Sequence, residues 1–265
     1  MVASVTTSEA VGGTGAAAAA AEGHKVIDPI HQFEIERIIP IRLGDLDLSL
    51  TNSGLWALIA VGVVCLLMLT APTRLIPTRL QSVAESLYEL VFGMTQEVLG
   101  AQGRGYFPFV FTLFAFILAA NVLGLIPGAF TVTSHIIITL ALALIVFIGA
   151  TVIGFIKHGT GYMRLFMPAG VPAPLLPFVV PIEIISYFIR PFSLSIRLFA
   201  NMMAGHMMLK VIAGFVIMLG VLAGWLPLMA LVAIYALELL VAVLQAYVFA
   251  LLTCLYLNDA LHVDH

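Results

Sequence analysis

Long apolar stretches without any Asp, Glu, Lys or Arg constrain the fold of this chain more than any other feature. Three of them are residues 54–71, 107–127 and 135–156. A helix of about 20 residues crosses the roughly 30 Å hydrocarbon core of a bilayer. Because 62% of the residues are hydrophobic and only 9% are charged, a water-soluble domain could not cover this apolar surface. The chain is therefore predicted to be an all-α polytopic membrane protein.

Two longer apolar stretches follow, over about residues 177–219 and 227–257, and the turn between them reads LGVLAGWLP. A helix of about 30 residues is roughly 45 Å long, which exceeds the thickness of the hydrocarbon core. The sequence therefore predicts a hairpin of two steeply tilted helices, which brings the number of crossings to five. Pro191 is expected to start or kink the first of the two.

The remaining segments are more polar. Residues 1–24 are rich in Ala and Gly and predict a flexible extension, whereas residues 25–53 predict an interfacial segment with a small hairpin around Gly44 and Asp45. Apolar residues at helical spacing over 80–99, interrupted by glutamates, predict an amphipathic helix. We expect one membrane domain over 54–257 and a short tail over 258–265.

Basic residues indicate the orientation of the chain. Five of them fall in connections on one side of the membrane: Arg74, Arg79, Arg104, Lys157 and Arg164. The positive-inside rule makes this side cytoplasmic, so the N-terminus is expected outside and the C-terminus inside. Three others, Lys25, Arg37 and Arg42, lie on the opposite side and weaken the asymmetry. With a formal net charge of −3, the chain is not expected to bind nucleic acid.

Polar residues within the last two apolar stretches are the candidate functional residues. They are Glu183, Arg190, Arg197, Asn201, His206, Lys210, Glu238 and Gln245. A charge at the centre of a membrane helix costs about 2.5–3.5 kcal/mol on insertion scales, so such residues usually serve a function.

Helical spacing divides these residues between faces. Positions seven apart differ by only about 20° around a helix, so Glu183, Arg190 and Arg197 form one stripe. His206 is expected on the opposite face, where Lys210 accompanies it. Glu238 on the antiparallel partner helix lies within possible reach of His206, while alanines at four-residue spacing near Gln245 indicate close helix packing.

A structural role is the alternative for several of these residues. Arg197 can pair with Glu183 as a brace, His206 can be a hydrogen-bonded packing residue, and Lys210 can extend to the interface. Arg190, beside a proline, is expected to be structural or interfacial. Cys65 and Cys254 are expected to be buried packing residues rather than a disulfide or a metal pair.

Three segments together resemble one family. SLSIRLFANMMAGH over 193–206, LELLVAVLQAYVFALLTCLYL over 237–257 and DPIHQFEI over 28–35 are similar to the a subunit of the rotary F-type ATP synthase. The resemblance covers nearly all of the chain after residue 25. It implies tilted helices that grip a rotating ring of c subunits.

The resemblance also implies roles for individual residues. Arg197 matches the essential arginine that faces a ring carboxylate, and Asn201 and Gln245 match positions close to it. His206 and Glu238 match a polar pair in one aqueous half-channel, with acid and imidazole exchanged relative to many bacterial members, as in mitochondrial-type members. Glu183 and Ser186 match polar positions of the other half-channel.

One departure from the family concerns the end of the second span. The family often has an acidic residue there, but this chain reads NVLGLIP, with Asn121 and Gly124. The exchange of acid and imidazole preserves the pair at His206 and Glu238, whereas the outline of the channel near Asn121 differs.

The predicted function is that of a proton-conducting stator subunit in a bacterial inner membrane, or in a mitochondrial-type homologue. It is expected to work in the lipid bilayer with the c-subunit ring and b-type peripheral stalk subunits, and indirectly with the F1 sector. No cofactor, metal or enzymatic activity is expected, since the Gly-rich segment GAQGRGYF lacks the Lys-Ser/Thr pair of a nucleotide-binding loop.

Two alternatives remain open at this point. One is a self-contained proton-coupled secondary transporter, although such proteins usually carry internal repeats with broken helices and none is evident here. The other is a membrane scaffold without conduction.

Overall fold

The computed structural model describes residues 37–39, 42–43, 46–47, 49–70, 78–126, 128–167 and 173–262. The predicted flexible extension over 1–24 lies outside the described residues, as does much of the predicted interfacial segment.

Four short strands precede the helices. They are β1 (Arg37–Ile39), β2 (Arg42–Leu43), β3 (Leu46–Asp47) and β4 (Leu50–Thr51). The middle two pair antiparallel on either side of residues 44–45, and the outer two pair antiparallel around them. The paired flanks agree with the predicted hairpin, whose turn residues lie outside the described residues.

Six α-helices account for most of the remaining described residues, and several of them are connected by 3₁₀ segments, over Gly100–Gln102, Val132–Ser134, Gly159–Phe166 and Ala173–Leu175. The α-helices are α1 (Asn52–Thr70), α2 (Arg79–Leu99), α3 (Gly103–Gly124), α4 (Ile136–His158), α5 (Leu176–Ala223) and α6 (Trp225–Leu261). Within the described residues, five helical segments are long and apolar enough to cross a membrane, α2 and α3 forming one of them. The prediction of an all-α polytopic membrane protein with five crossings is confirmed.

The junction between α2 and α3 differs from the expected boundary. Gly100 has a φ of 59°, which ends α2, and a single 3₁₀ turn leads directly into α3 at Gly103. A Cβ atom at Gly103 would lie 2.9 Å from the carbonyl oxygen of Thr95, so the glycine permits this close approach. The third helix therefore begins before the predicted start at Phe107.

Helix α2 is amphipathic, but its packed face is rotated from the predicted apolar stripe. Val91 and Met94 belong to the apolar stripe and are buried, alongside the less apolar Gln81 and Thr95. Other residues of the stripe are exposed: Leu80, Val83 and Leu90. Small and polar side chains thus fit against α3 and α6, while larger apolar ones remain outside, where lipid can cover them.

Helix α5 runs through Pro191 without a break, so the prediction that Pro191 starts it is wrong. The backbone stays helical across Pro181 and Pro191, and non-helical φ and ψ occur only at Gly220 within α5. Its 45 residues to Gly220 correspond to about 68 Å, more than twice the thickness of the hydrocarbon core. Steep tilt remains a prediction for both long helices.

Helix α6 is the centre of the bundle. It packs against α2, α3, α4 and α5, with its closest partners being α5 and α3. Ala242, Ala246 and Ala250 are fully buried, which confirms close packing along this stripe. Cys254 is also buried, whereas Cys65 is exposed, so the packing role predicted for Cys65 is wrong; neither forms a disulfide among the described residues.

Candidate functional site

Arg197 is exposed on α5, although its neighbours Ser195 and Leu198 are buried in the bundle. Across the described ranges, its guanidinium forms no hydrogen bond or ion pair. The chain thus displays a permanent cation on a helix that otherwise presents many apolar side chains to its surroundings.

The carboxylates of Asp259 and Glu183 contact Arg190 rather than Arg197. Arg190 Nη1 lies 2.8 Å from Asp259 Oδ2, and Arg190 Nη2 lies 3.7 Å from Glu183 Oε1. The Arg190 guanidinium also lies 5.9 Å from the ring centroids of Tyr187 and Tyr256. The alternative in which Arg197 braces Glu183 is therefore wrong, and the structural prediction for Arg190 agrees with these contacts.

Spacing along α6 explains this distribution. The pairs Arg190–Asp259 and Asn201–Gln245 show how the two antiparallel helices align. Arg197 lies between Arg190 and Asn201 on α5, and Leu252 lies midway between their partners Asp259 and Gln245 on the same face of α6. Because α6 carries no charged residue over 239–258, it offers Arg197 no acid.

Asn201 and Gln245 meet behind Arg197. Asn201 lies one turn after Arg197, and its Nδ2 donates to Gln245 Oε1 over 3.0 Å. Gln245 is only 4% exposed, and its Nε2 is buried without a hydrogen-bond partner in the part of the chain that the structure describes. The two amides join α5 to α6 and leave one buried donor available.

His206 and Glu238 form a second, separate group facing the interior. His206 Nε2 lies 3.7 Å from Glu238 Oε1, and the two side chains are almost completely buried. Neither carboxylate oxygen of Glu238 has a hydrogen-bond partner among the residues described. The predicted reach between the two helices is confirmed, as is the prediction that His206 and Arg197 occupy different faces.

A glycine makes room for this pair. A Cβ atom at Gly205 would lie 2.5 Å from Glu238 Oε1, so any larger residue would displace the carboxylate. The Asn-x-x-x-Gly-His sequence therefore places a small residue where the acid of the neighbouring helix needs space.

Thr131 is a contact of His206 that the sequence analysis missed. Its Oγ1 lies 3.0 Å from His206 Nε2, and the side chain is fully buried just before the 3₁₀ turn Val132–Ser134. The polar run TVTSH after an apolar span was a signal that something there needed hydrogen bonds. Nothing in its spacing connects it with a histidine 75 residues later.

Asn121 is a structural connector in this region. Its Nδ2 donates to the carbonyl oxygen of Ala242 over 3.2 Å, and its Oδ1 accepts from Thr133 Oγ1 over 2.8 Å. The side chain is fully buried. Where the family often has an acid, this chain thus has an amide that joins α3, α6 and the 3₁₀ turn.

A cavity of about 290 Å³ opens beside His206. Gly124 and Gly128 line one side, and Lys210 and Tyr235 line the other. The shared position of His206 and Lys210 confirms the predicted common face. The cavity is large enough for several water molecules, with an imidazole and an ammonium group at its wall.

The third predicted group, Glu183 and Ser186, lies far from this cavity. Glu183 is half-buried beside Arg190, and Ser186 is exposed. Glu183 precedes Arg197 by 14 residues, about 21 Å along α5, and His206 follows Arg197 by nine, about 14 Å. Two polar regions therefore lie on opposite sides of Arg197 along the helix.

The amino-acid sequence of the chain is similar to those of known proteins. The ATP synthase A chain family matches residues 54–258. The protein named ATP synthase subunit a of Pelagibacter ubique (strain HTCC1062) is 54% identical over 241 residues, covering 90% of this chain and 99% of that protein.

Two further relatives carry the same name. The Chelativorans sp. (strain BNC1) protein is 56% identical over 246 residues, covering 90% of this chain and 99% of its own length. The Rhodospirillum rubrum protein is 51% identical over 237 residues, covering 89% and 98%.

Proposed function

The chain belongs to the ATP synthase A chain family, as a multi-pass subunit of the membrane sector, and from this premise we propose how its residues conduct protons. It is the stator against which a ring of c subunits turns. Two half-channels in this chain admit protons from opposite sides of the membrane, and Arg197 separates them.

The observation that carries the proposal is the exposed guanidinium of Arg197, which has no partner among the described residues of its own chain. Arginine stays protonated at every physiological pH. In a medium of low dielectric, a cation a few ångströms away favours the ionised form of a carboxylic acid. A ring carboxylic acid that arrives neutral from the lipid therefore releases its proton near Arg197.

His206, Glu238 and the adjoining cavity form one access route. Imidazole titrates near neutral pH, and a neighbouring carboxylate can pass a proton to it directly or through water. The separation of 3.7 Å between the two side chains and the 290 Å³ cavity support this role.

The second access route lies at the other end of α5, past Glu183 and Ser186. A proton cannot pass from one route to the other along this chain, because the fixed charge of Arg197 repels it in between. The ring carboxylate must carry it, which couples conduction to rotation. The Asn201–Gln245 hydrogen bond holds the two long helices together behind this exchange point.

The remaining assignments complete this picture. The chain performs no nucleotide chemistry; it is held by b-type stalk subunits, and its work reaches the F1 sector indirectly. It lies in a bacterial inner membrane with the N-terminus outside and the C-terminus in the cytoplasm, which the basic connections support. Each proton supplies about 2.3 kcal/mol per 100 mV, so several are needed for each ATP.

Replacement of Arg197 by Ala in the intact complex tests the proposal. Membrane vesicles should lose ATP-driven proton pumping and proton-driven ATP synthesis while the subunit remains in the membrane. Arg104→Ala is the matched control, since Arg104 is exposed at the start of α3. Normal coupled synthesis in Arg197→Ala would contradict the proposal, and solute uptake by the purified chain alone would favour a transporter.

A further inference from the structure

The hydroxyl group of Thr131 lies between two groups with different hydrogen-bonding capacities. Its Oγ1 is 3.0 Å from His206 Nε2 and 3.4 Å from the carbonyl oxygen of Gly124. The carbonyl oxygen can only accept a hydrogen bond, whereas an imidazole nitrogen donates or accepts according to its protonation.

This geometry gives His206 Nε2 a partner in either state. When Nε2 carries a proton, it donates to Thr131 Oγ1, whose own hydrogen then points to the Gly124 carbonyl. When Nε2 is deprotonated, the hydroxyl rotates and donates to it. The almost completely buried imidazole would otherwise lose a hydrogen bond at each change of state, at a cost that burial increases.

The polar contacts of the His206 ring are made through its Nε2 atom. Glu238 Oε1 on α6 lies 3.7 Å from the same atom, and Lys210 on α5 and Tyr235 on α6 line the adjoining cavity. At the start of α4, the ring of His135 stacks on Phe130. From the turn that precedes α4, the described contact with His206 is the uncharged hydroxyl of Thr131.

Gly124 allows Thr131 to occupy this position. A Cβ atom at residue 124 would lie 2.8 Å from Thr131 Cγ2 and 3.0 Å from Thr131 Oγ1. The hydroxyl group is thus seated against a glycine on one side and an imidazole on the other.

We propose that Thr131 is a positioning residue for proton transfer at His206. It fixes the orientation of the imidazole and accommodates both protonation states of Nε2 by rotation of its hydroxyl. The proposal rests on the proposed function, because it assigns a role within the access route formed by His206 and Glu238.

The test compares three variants of the intact complex in membrane vesicles, with ATP-driven proton pumping measured as a function of pH. Thr131→Val keeps the shape but removes the hydroxyl, and should lower pumping several-fold and displace the His206-dependent limb of the pH profile, because each protonation state of Nε2 loses a hydrogen bond of different strength. Thr131→Ser should retain the wild-type profile. Thr133→Val is the matched control, since Thr133 bonds to Asn121 rather than to His206, and should leave the profile unmoved.

A second substitution covers the case in which Thr131→Val fails to assemble. Gly124→Ala leaves the threonine in place but crowds its hydroxyl from the opposite side, and should also displace the profile. An unchanged profile in Thr131→Val, or in Gly124→Ala where the first does not assemble, would overturn the proposal. Equal damage in Thr131→Val and Thr131→Ser would also overturn it.

His206→Ala separates this inference from the proposed function. Wild-type pumping in His206→Ala would show that His206 is not part of an access route and would contradict the proposed function. Loss of pumping in His206→Ala with an unchanged profile in Thr131→Val would overturn the role of Thr131 alone.

Discussion

Arg190 and Arg197 lie seven residues apart on one helix, yet their surroundings differ completely. Arg190 contacts two carboxylates and two tyrosine rings of its own chain. Arg197 is exposed and has neither a hydrogen bond nor an ion pair within the described ranges. The difference arises on α6, which places Asp259 beside Arg190 but carries no charged residue over 239–258.

The same residue type, arginine, has two different surroundings on α5. A cation that its own chain neutralises stabilises the packing of α5 on α6 and is not available to a partner. In the proposed function, a cation whose chain offers no acid nearby keeps its charge for a carboxylate of another molecule, and charged residues within membrane helices usually serve a function.

Removal of the fixed charge at Arg197 should have the largest effect. Arg197→Lys is expected to abolish nearly all coupled ATP synthesis, because an ammonium group in low-dielectric surroundings can lose its proton and lacks the planar fork of arginine. Arg104→Lys serves as the control at an exposed position. Wild-type synthesis rates in Arg197→Lys vesicles would show that a permanently charged group is not required.

Giving Arg197 a partner in its own chain should be nearly as damaging. Leu252→Asp places a carboxylate on the face of α6 between the partners of Arg190 and Asn201, the interval that includes Arg197, so the guanidinium should gain an acid of its own chain nearby. Leu252→Asn has nearly the same shape without the charge and should retain much more ATP-driven pumping. Equal ATP-driven pumping in the two variants would show that function does not depend on the absence of an acid in this part of α6.

A change beside the acid–imidazole pair should have an intermediate effect. Gly205→Ala brings a methyl group to within 2.5 Å of Glu238 Oε1, which must move and change its distance from His206. Pumping is expected to fall several-fold with assembly retained. Gly149→Ala on α4, where a methyl group meets nothing within 4 Å, is the matched control. Similar pumping in both variants would contradict a role for His206 and Glu238 in proton transfer.

Loss of Arg190 should affect stability more than conduction. Arg190→Ala leaves Asp259 and Glu183 without their cation, and because these groups are about one-third exposed, the cost should be about 1–2 kcal/mol. Thermal dissociation of the purified complex should occur at a lower temperature, while coupled synthesis remains well above that of Arg197→Ala. A complete loss of synthesis in an assembled Arg190→Ala complex would contradict the assignment of a structural role to Arg190.

Much of this arrangement follows from local patterns in the sequence. Uncharged runs define the spans through their length, and seven-residue spacing places Glu183 with Arg190 and Glu238 with Gln245. The facing of Arg197 and His206 follows from the same geometry, since both depend only on positions within one continuous helix.

Contacts between distant segments could not be predicted in the same way. Thr131 reaches His206 across 75 residues, and Asn121 reaches Ala242 across 121. Such contacts depend on how helices align in space, which periodicity along one helix does not determine. Asp259 was missed because it lies beyond the predicted end of the last helix, which continues to Leu261.

The proximity of Arg197 to an acid on another chain can be measured by crosslinking in the membrane. Ser193 and Ala204 are exposed and lie on the same face of α5 as Arg197, so each is replaced by Cys in a chain that also carries Cys65→Ser and Cys254→Ala. The control is Ile145→Cys, which is 54% exposed on α4. A short crosslinker should join positions 193 and 204 to a cysteine placed beside the carboxylate of a ring subunit. No product at 193 and 204, or an equal yield from 145, would contradict the account.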